Sequence, residues 1–199
     1  HCGVTGAVGV ANGLDALQLA LLALDIGPGD EVLVPSHTYI ATWLAVTHTG
    51  ARPVPIEPDP TTMQIDTARV SDAIGPRTAA ILPVHLYGIP ANVEELSAIA
   101  RRHGLALIED ASQAHGARLN GRAIGSFGDA AAFSLYPTKN LGAMGDAGIV
   151  VSADPNLLER VRMLGNYGER RRNEHELLGR NSRLDEVQAA FLRVKLRRL

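Results

Sequence analysis

The chain has 199 residues, a formal net charge of −2, 46% hydrophobic residues and 20% charged residues. This composition is typical of a globular protein, and it excludes a disordered tail, a collagen-like fibre and a disulfide scaffold. No apolar run approaches the roughly 20 residues that cross a bilayer, so we expect no membrane partner. The near-neutral charge argues against nucleic acid as a partner, because nucleic-acid-binding domains present strongly basic patches.

The single cysteine, Cys2, cannot form an internal disulfide, and residues 1–13 lack the charged and apolar regions of a signal peptide. We therefore expect a cytoplasmic protein. Only two of the 19 basic residues are lysines, Lys139 and Lys195. Each lysine is a candidate for amine chemistry, which arginine cannot perform.

Strand and helix patterns alternate along the chain. Leucines at helical spacing predict a first helix over residues 13–25. In chain order we then expect a strand over 31–36, a helix from about 39, a strand over 52–56, a helix over 67–74 and a strand over 79–86. A helix over 92–103, capped by Asn92, strands over 105–108, 130–135 and 148–151, and helices over 155–164 and 184–199 complete the pattern. This alternation predicts an α/β sheet covered by helices on both faces, with ligands at the carboxyl ends of its strands.

Several residues at these predicted ends have both an ordinary and a chemical interpretation. Lys139 is either a surface lysine or a desolvated amine that forms a Schiff base. Asp110 is either a helix N-cap or an anion that pairs with a protonated ring nitrogen. Gly13 either follows an ordinary N-cap at Asn12 or opens an anion cradle made of backbone N–H groups. Tyr39 is either a core aromatic or a stacking platform.

Other chemistries have weaker support. Gly3, Gly6 and Gly9 do not follow the spacing of a dinucleotide fingerprint, and no strand is predicted before them. The seven histidines do not cluster at metal-ligand spacing, so we predict no metal site. No serine lies in a G-x-S-x-G elbow. A cradle, an aromatic, a strand-end acid and a lysine, in that order, fit pyridoxal 5′-phosphate.

Five segments together resemble the DegT/DnrJ/EryC1/StrS aminotransferases, namely residues 10–17, 27–32, 35–42, 108–113 and 134–142. The resemblance implies the three-layer α/β/α sheet of pyridoxal-phosphate enzymes of fold type I. Family members are longer at both ends, so residues 1–199 would be a fragment, the large cofactor-binding domain without its N-terminal segment and small C-terminal domain. It also implies a homodimer that moves an amino group from L-glutamate to a nucleotide-linked keto sugar.

The resemblance also assigns roles to individual residues. Lys139 matches the Schiff-base lysine, Asp110 the acid on the ring nitrogen, Gln113 the partner of the ring hydroxyl and Tyr39 the stacking aromatic. The phosphate cradle matches Ser134 and the backbone at Gly13, Leu14 and Asp15. Asn181 and the neighbouring Arg183 match a loop that reaches the cofactor phosphate of the other subunit.

Residues 38–43 and 181–186 are most similar to 3-aminotransferases acting on dTDP-3-keto-6-deoxyhexoses. Trp43 lies one helical turn after Tyr39 and is either a core residue or part of the substrate pocket. Three alternatives remain: a 4-keto sugar aminotransferase, a pyridoxamine-dependent dehydrase, and a non-catalytic regulatory or binding relative. The dehydrases have histidine at the lysine position, so Lys139 disfavours them.

Overall fold

The computed structural model describes residues 1–199 and contains one seven-stranded sheet with helices on both faces. The strands of this sheet are β1 (Gly6–Val10), β2 (Glu31–Pro35), β3 (Arg52–Ile56), β4 (Thr78–Ile81), β5 (Ala106–Asp110), β8 (Ala130–Ser134) and β9 (Gly148–Ser152). Two small hairpins pair β6 (Arg118–Leu119) with β7 (Arg122–Ala123), and β10 (Glu169–Arg171) with β11 (Glu174–His175). The helices are α1 (Gly13–Ala23), α2 (Ile40–Thr49), α3 (Thr67–Ala73), α4 (Val93–His103), α5 (Pro155–Gly165) and α6 (Glu186–Lys195).

The sheet order is β1-β9-β8-β5-β4-β2-β3. The five neighbours from β8 to β3 run parallel, whereas β9 is antiparallel to both β1 and β8. Parallel strands bring their carboxyl ends to one edge of the sheet. Pro35, Asp110 and Ser134 end three of these strands, so the residues that follow them share that edge.

Two hydrophobic cores separate the three layers. One core lies between the sheet and α1, α2 and α5, and the other lies between the sheet and α3 and α4. A smaller cluster packs Leu135 and Leu141 against Leu192 of α6. The α/β/α architecture expected from the sequence is confirmed. No helix has the length and apolar character needed to cross a bilayer, and no group of three His, Cys, Asp or Glu side chains could hold a metal ion.

The glycine-rich N-terminus forms a strand that the sequence pattern did not predict. Gly6 and Gly9 lie in β1, and a Cβ at these positions would lie 2.7 Å from Leu158 Cδ1 and 2.6 Å from Leu184 Cβ, respectively. Close packing on both sides therefore requires glycine here. Hydropathy patterning missed this strand, because its glycines serve close packing and carry no hydrophobic signal.

The strand predicted over 79–86 is shorter than expected. It ends at Ile81, and Leu86 begins a 3-10 turn. Pro83 has no N–H to donate to a neighbouring strand, so the regular ladder stops before it. The chain still follows β5, because Pro83 accepts from the Asp110 N–H and His85 donates to the Asp110 carbonyl.

Two helix boundaries also differ. Asn92 occupies the N-cap position of α4, but its side chain donates to Glu95 instead of capping the helix. The C-terminal helix begins at Glu186 rather than at residue 184, and after Lys195 it tightens into a 3-10 turn. The two small hairpins were missed because their strands are too short and polar to produce an alternating pattern.

Candidate active site

The start of α1 is built as an anion cradle. Asn12 caps the helix, and its Oδ1 accepts the Asp15 N–H at 2.8 Å. The N–H groups of Gly13 and Leu14 have no acceptor within the chain. Two free N–H groups at the positive end of a helix dipole attract an anion. The N-cap at Asn12 is therefore confirmed, and the anion cradle at Gly13 and Leu14 stays a prediction that these free N–H groups permit.

Ser134 lies directly against this helix start. A Cβ added at Gly13 would lie 2.6 Å from Ser134 Cβ and 3.2 Å from its Oγ. Behind the turn, a Cβ at Gly148 would lie 2.3 Å from the Asn12 carbonyl oxygen. Only glycine permits these approaches. The structure thus brings the Ser134 hydroxyl beside the free N–H groups, as the sequence predicted.

Asp15 differs from Gly13 and Leu14 because its N–H has a partner within the chain. This N–H donates to Asn12 Oδ1, and the role of Asp15 in the backbone cradle stays a prediction. Its carboxylate instead accepts from the Ser182 hydroxyl at 2.5 Å and lies 3.7 Å from Arg180 Nη1. Both partners of this carboxylate belong to the loop over residues 180–183.

Asp110 ends β5 and is 4% exposed. Its Oδ2 accepts the Thr42 hydroxyl at 2.9 Å, and its Oδ1 accepts the Ser112 N–H at 3.1 Å. No helix begins after Asp110, so the N-cap interpretation was wrong. A carboxylate with one donor on each oxygen retains free lone pairs for a further donor.

Ser112 connects Asp110 to the cradle. Its N–H binds Asp110, and its Oγ accepts the Ser134 N–H at 3.2 Å. Two hydrogen bonds therefore link the strand-end acid to Ser134, which lies against the start of α1. Ser112 was not predicted, because a serine in an irregular turn has no distinctive sequence pattern.

Two aromatic residues near the start of α2, Tyr39 and Trp43, differ in their surroundings. Tyr39 precedes the first residue of the helix and is 73% exposed, so it is available for stacking and is not a core residue. Trp43 is half-buried beside the first core, and its indole N–H donates to the Pro35 carbonyl at 3.3 Å. The core interpretation is therefore favoured for Trp43.

Gln113 has one orientation fixed by its contacts. Its Oε1 accepts the Tyr87 N–H at 2.8 Å, so its amide N–H groups remain available to an acceptor. The Tyr87 hydroxyl lies 3.1 Å from His37 Nε2, and Tyr87 has a positive φ of 59°. A left-handed conformation at a tyrosine is uncommon and is often found at functional sites.

Lys139 differs clearly from the second lysine. It is half-buried in the turn after β8, where its backbone N–H donates to the Tyr136 carbonyl. Its side-chain amine takes part in no ion pair of the chain. The amine of Lys195 instead donates to the Gly142 carbonyl at 2.6 Å. Lys195 thus holds the loop that carries Lys139, and only Lys139 has a free amine.

His115 lies between Ser134 and Lys139. Its Nε2–H donates to the Ser134 carbonyl at 2.9 Å, and its Nδ1 is buried without a partner. Burial, assisted by the positive charge of Lys139 and opposed by the hydrogen bond to Ser134, lowers the pKa of His115 to about 4. We infer that the ring is neutral near pH 7 and supports the cradle without adding charge.

Glu109 anchors the strand end from the opposite face of the sheet. Its carboxylate accepts from His85 Nε2 and from the N–H groups of Gly125, Phe127 and Gly128, at 2.8 to 3.0 Å. Burial alone would raise the pKa of Glu109, but these hydrogen bonds outweigh it and hold the pKa below its ordinary value. Because successive strand residues face opposite sides, this anchor fixes the backbone from which the next residue, Asp110, points to α2.

Asn181 and Arg183 do not join the other candidates. Both are exposed, and Arg183 Nε donates to Asn181 Oδ1 at 3.0 Å. Ser182 between them is buried and bonds both Asp15 and the Ala11 N–H. The loop is therefore tied to α1 through the buried Ser182, while the two residues beside Ser182 remain exposed.

The arrangement fits pyridoxal 5′-phosphate. The cradle at Gly13 suits a phosphate, Asp110 suits a ring N–H, and the amide of Gln113 suits a ring oxygen. The exposed ring of Tyr39 and the free amine of Lys139 complete the set. Thr42, Ser112 and His115 were not predicted. Of these, Thr42 could have been placed on the same helix face as Thr38 and Tyr39 from its helical spacing to them.

Comparison with known proteins gives a consistent result. The model of the DegT/DnrJ/EryC1/StrS aminotransferase family matches residues 1–199. The chain is 60% identical over 199 residues to "dTDP-3-amino-3,4,6-trideoxy-alpha-D-glucose transaminase" of Streptomyces venezuelae, covering 100% of this chain and 52% of that protein. It is also 60% identical over 199 residues to "Erythromycin biosynthesis sensory transduction protein EryC1" of Saccharopolyspora erythraea, covering 100% of this chain and 54% of that protein.

A solved structure shares the fold. The crystal structure of S. venezuelae DesV in complex with a ketimine intermediate superimposes with a TM-score of 0.96 and 61% identity, covering 98% of this chain and 53% of that one. The chain thus spans about half the length of the relatives it matches. Because the family model matches all 199 residues of the chain, the chain belongs to the DegT/DnrJ/EryC1/StrS aminotransferase family.

Proposed function

We propose that the full-length protein is a pyridoxal 5′-phosphate-dependent aminotransferase. It moves the amino group of L-glutamate to C3 of a dTDP-linked 3-keto-6-deoxyhexose in amino-sugar biosynthesis. The observation that carries the proposal is that Ser134 packs against the start of α1 and is hydrogen-bonded through Ser112 to Asp110, with the free amine of Lys139 in the adjoining turn. The 60% identity to a named dTDP-sugar transaminase supports the same chemistry.

The residues divide the work of holding the cofactor. The N–H groups of Gly13 and Leu14 and the Ser134 hydroxyl bind the phosphate. Asp110 accepts the ring N–H and keeps that nitrogen protonated. Gln113 donates its free amide N–H to the ring hydroxyl, and Tyr39 covers one face of the ring.

Lys139 has two tasks. Its amine would hold the cofactor covalently, and once released by the amino donor it would serve as the general base and acid that moves the donor Cα proton. When bound, pyridoxal phosphate supplies the electron sink that makes this Cα–H acidic. Asp110 maintains that sink by holding the ring nitrogen in its protonated form.

The assembly belongs to the proposal as well. Residues 1–199 would form the large cofactor-binding domain, and the active unit would be a homodimer in which Asn181 and Arg183 reach the phosphate of the other subunit. The exposure of both residues beside the buried Ser182 supports this. Sedimentation of the full-length protein at assay concentration tests it, and a fully active monomer would contradict it.

The function is tested by product analysis. The full-length protein is incubated with 15N-labelled L-glutamate and with the 3-keto or the 4-keto isomer of a dTDP-6-deoxyhexose, and the product is examined by NMR. We expect 15N at C3 of the 3-keto isomer. Nitrogen at C4 would instead assign the 4-keto alternative. Asp110→Asn should retain cofactor but lose most turnover, because the electron sink is weakened.

A non-catalytic regulatory role is the second candidate. It is favoured by the name of one relative at 60% identity, a sensory transduction protein. The free amine of Lys139 and the buried Asp110 favour catalysis instead. A cofactor-loaded protein that moves no label from glutamate to either sugar would support the regulatory role.

A further inference from the structure

A threonine on α2 is bonded to the strand-end acid. The Thr42 hydroxyl donates to Asp110 Oδ2 at 2.9 Å, and the Thr38 hydroxyl oxygen lies 3.0 Å from the Thr42 oxygen. Thr42 is 1% exposed and Asp110 4%, so water does not compete for the bond between them. Thr42 supplies the only side-chain hydrogen bond to this carboxylate.

The direction of the two bonds follows from their chemistry. A hydroxyl has one proton to donate, and the proton of Thr42 is directed to Asp110. The Thr42 oxygen must therefore accept from Thr38. The relay runs from Thr38 to Thr42 to Asp110, and each bond in such a chain polarises and strengthens the next.

The relay fixes Asp110 relative to Tyr39. The other carboxylate oxygen binds the N–H of Ser112, which belongs to the turn after β5 itself. Only the hydrogen bond from Thr42 connects the carboxylate to α2, the helix that Tyr39 precedes. A carboxylate rotates easily about its last torsion, so a bond on each oxygen is needed to fix its plane. Thr42 is β-branched, and its stiff χ1 holds the hydroxyl in place.

We propose that Thr42 is a positioning residue that aligns Asp110 with a flat, nitrogen-containing aromatic ring covered by Tyr39, and that Thr38 is the second link. The inference rests on the proposed function, because the ring is that of pyridoxal phosphate. Thr42 touches neither the ring nor the reacting atoms. It acts through Asp110, so its contribution depends on the ring having a nitrogen at that position.

That dependence defines the test. The dissociation constants of the full-length protein are measured for pyridoxal phosphate and for its 1-deaza analogue, in which C–H replaces the ring nitrogen. Thr42→Val should weaken the natural cofactor about 10- to 100-fold, the usual loss for a hydrogen bond to a carboxylate. Binding of the deaza analogue should change by less than about 3-fold, since it offers no N–H to Asp110.

Three further variants complete the design. Thr42→Ser keeps the hydroxyl and should restore binding of the natural cofactor. Thr38→Val should give a smaller loss that is again confined to the natural cofactor. Thr49→Val, on the same helix, removes a buried hydroxyl that bonds only local backbone groups and should change neither constant.

The possible failures are distinct. Equal losses with both cofactors in Thr42→Val would show a merely structural role and overturn the inference. If Thr42→Val leaves the dissociation constant for pyridoxal phosphate unchanged, the Thr42 hydrogen bond contributes nothing to cofactor binding, and the inference is again overturned. If the unsubstituted protein binds neither cofactor, the proposed function itself fails.

Discussion

His115 should titrate far below an ordinary histidine. Its Nε2–H donates to the Ser134 carbonyl and its Nδ1 is buried without a partner, so adding a proton would bury a charge beside the amine of Lys139. Burial lowers its pKa from the ordinary 6.5 to about 4. Histidine-selective NMR of the protein from pH 7 to pH 4 measures this directly, and His115→Gln identifies the resonance by its loss.

The shift has a consequence for stability. Between pH 4 and 6.5 the unfolded chain binds a proton at His115 and the folded chain does not. The stabilisation from this group is therefore fully present above pH 6.5 and is lost as the pH falls toward 4. A pKa of about 4 in the folded chain against 6.5 in the unfolded chain lowers the free energy of unfolding by about 3 kcal/mol as the pH falls through this range. Carboxylates with lowered pKa, such as Glu109, affect stability only at more acid pH.

Urea unfolding at pH 6.5 and pH 4.5 measures this change. His115→Gln can keep the donor to the Ser134 carbonyl while removing the titration, so its stability should change much less across this range. His48→Gln, at an exposed position on α2, is the matched control and should behave like the unsubstituted protein. A His115 resonance that titrates near pH 6.5, or a slope that persists in His115→Gln, would refute the reasoning.

Three further predictions concern the amine, the cradle and the buried carboxylate. Borohydride reduction of the full-length protein with pyridoxal phosphate should attach the cofactor permanently at Lys139, as peptide mapping would show. Lys139→Arg should abolish the label and Lys195→Arg should not. Gly13→Ala should weaken pyridoxal phosphate binding at least about 10-fold in a binding titration, because the new methyl would meet the cradle serine; Gly75→Ala, where nothing lies within 4 Å, should not. Glu109→Gln should lower the free energy of unfolding by about 2–4 kcal/mol in urea denaturation, since an amide cannot accept all four donors; a loss below about 1 kcal/mol would contradict the anchoring role.

Periodicity predicted the main elements because the sheet is buried on both faces. The apolar runs that became β2, β5 and β8 are continuous, as parallel strands buried on both faces require. The pattern failed where packing rather than polarity decides. In β1 two glycines are needed for close approach, and glycine carries no hydrophobic signal. At Pro83 the chemistry of a single residue ended a strand that hydropathy alone would extend.

The candidate site was predictable in part for a related reason. Lys139, Asp110 and Ser134 follow predicted strands, so topology alone places them at one edge of the sheet. Their supporting partners come from distant segments and irregular turns. Neither the spacing of Thr42 nor that of Ser112 reveals which side chain it will meet. The partner of the Asp15 N–H was missed for the same reason, because its hydrogen bond to Asn12 Oδ1 exists only once the cap has formed.

The buried pair of carboxylates at the end of β5 explains how a site can be rigid and still reactive. Glu109 is saturated by four donors on one face of the sheet, so it anchors the strand and has no capacity left for a ligand. Asp110, on the opposite face, has a single donor on each oxygen and keeps the capacity for one more. Adjacent residues of the same type thus acquire opposite roles because the strand alternates its side chains. If this division is correct, exchanging the two by Glu109→Asp and Asp110→Glu should abolish cofactor binding, although composition and net charge do not change.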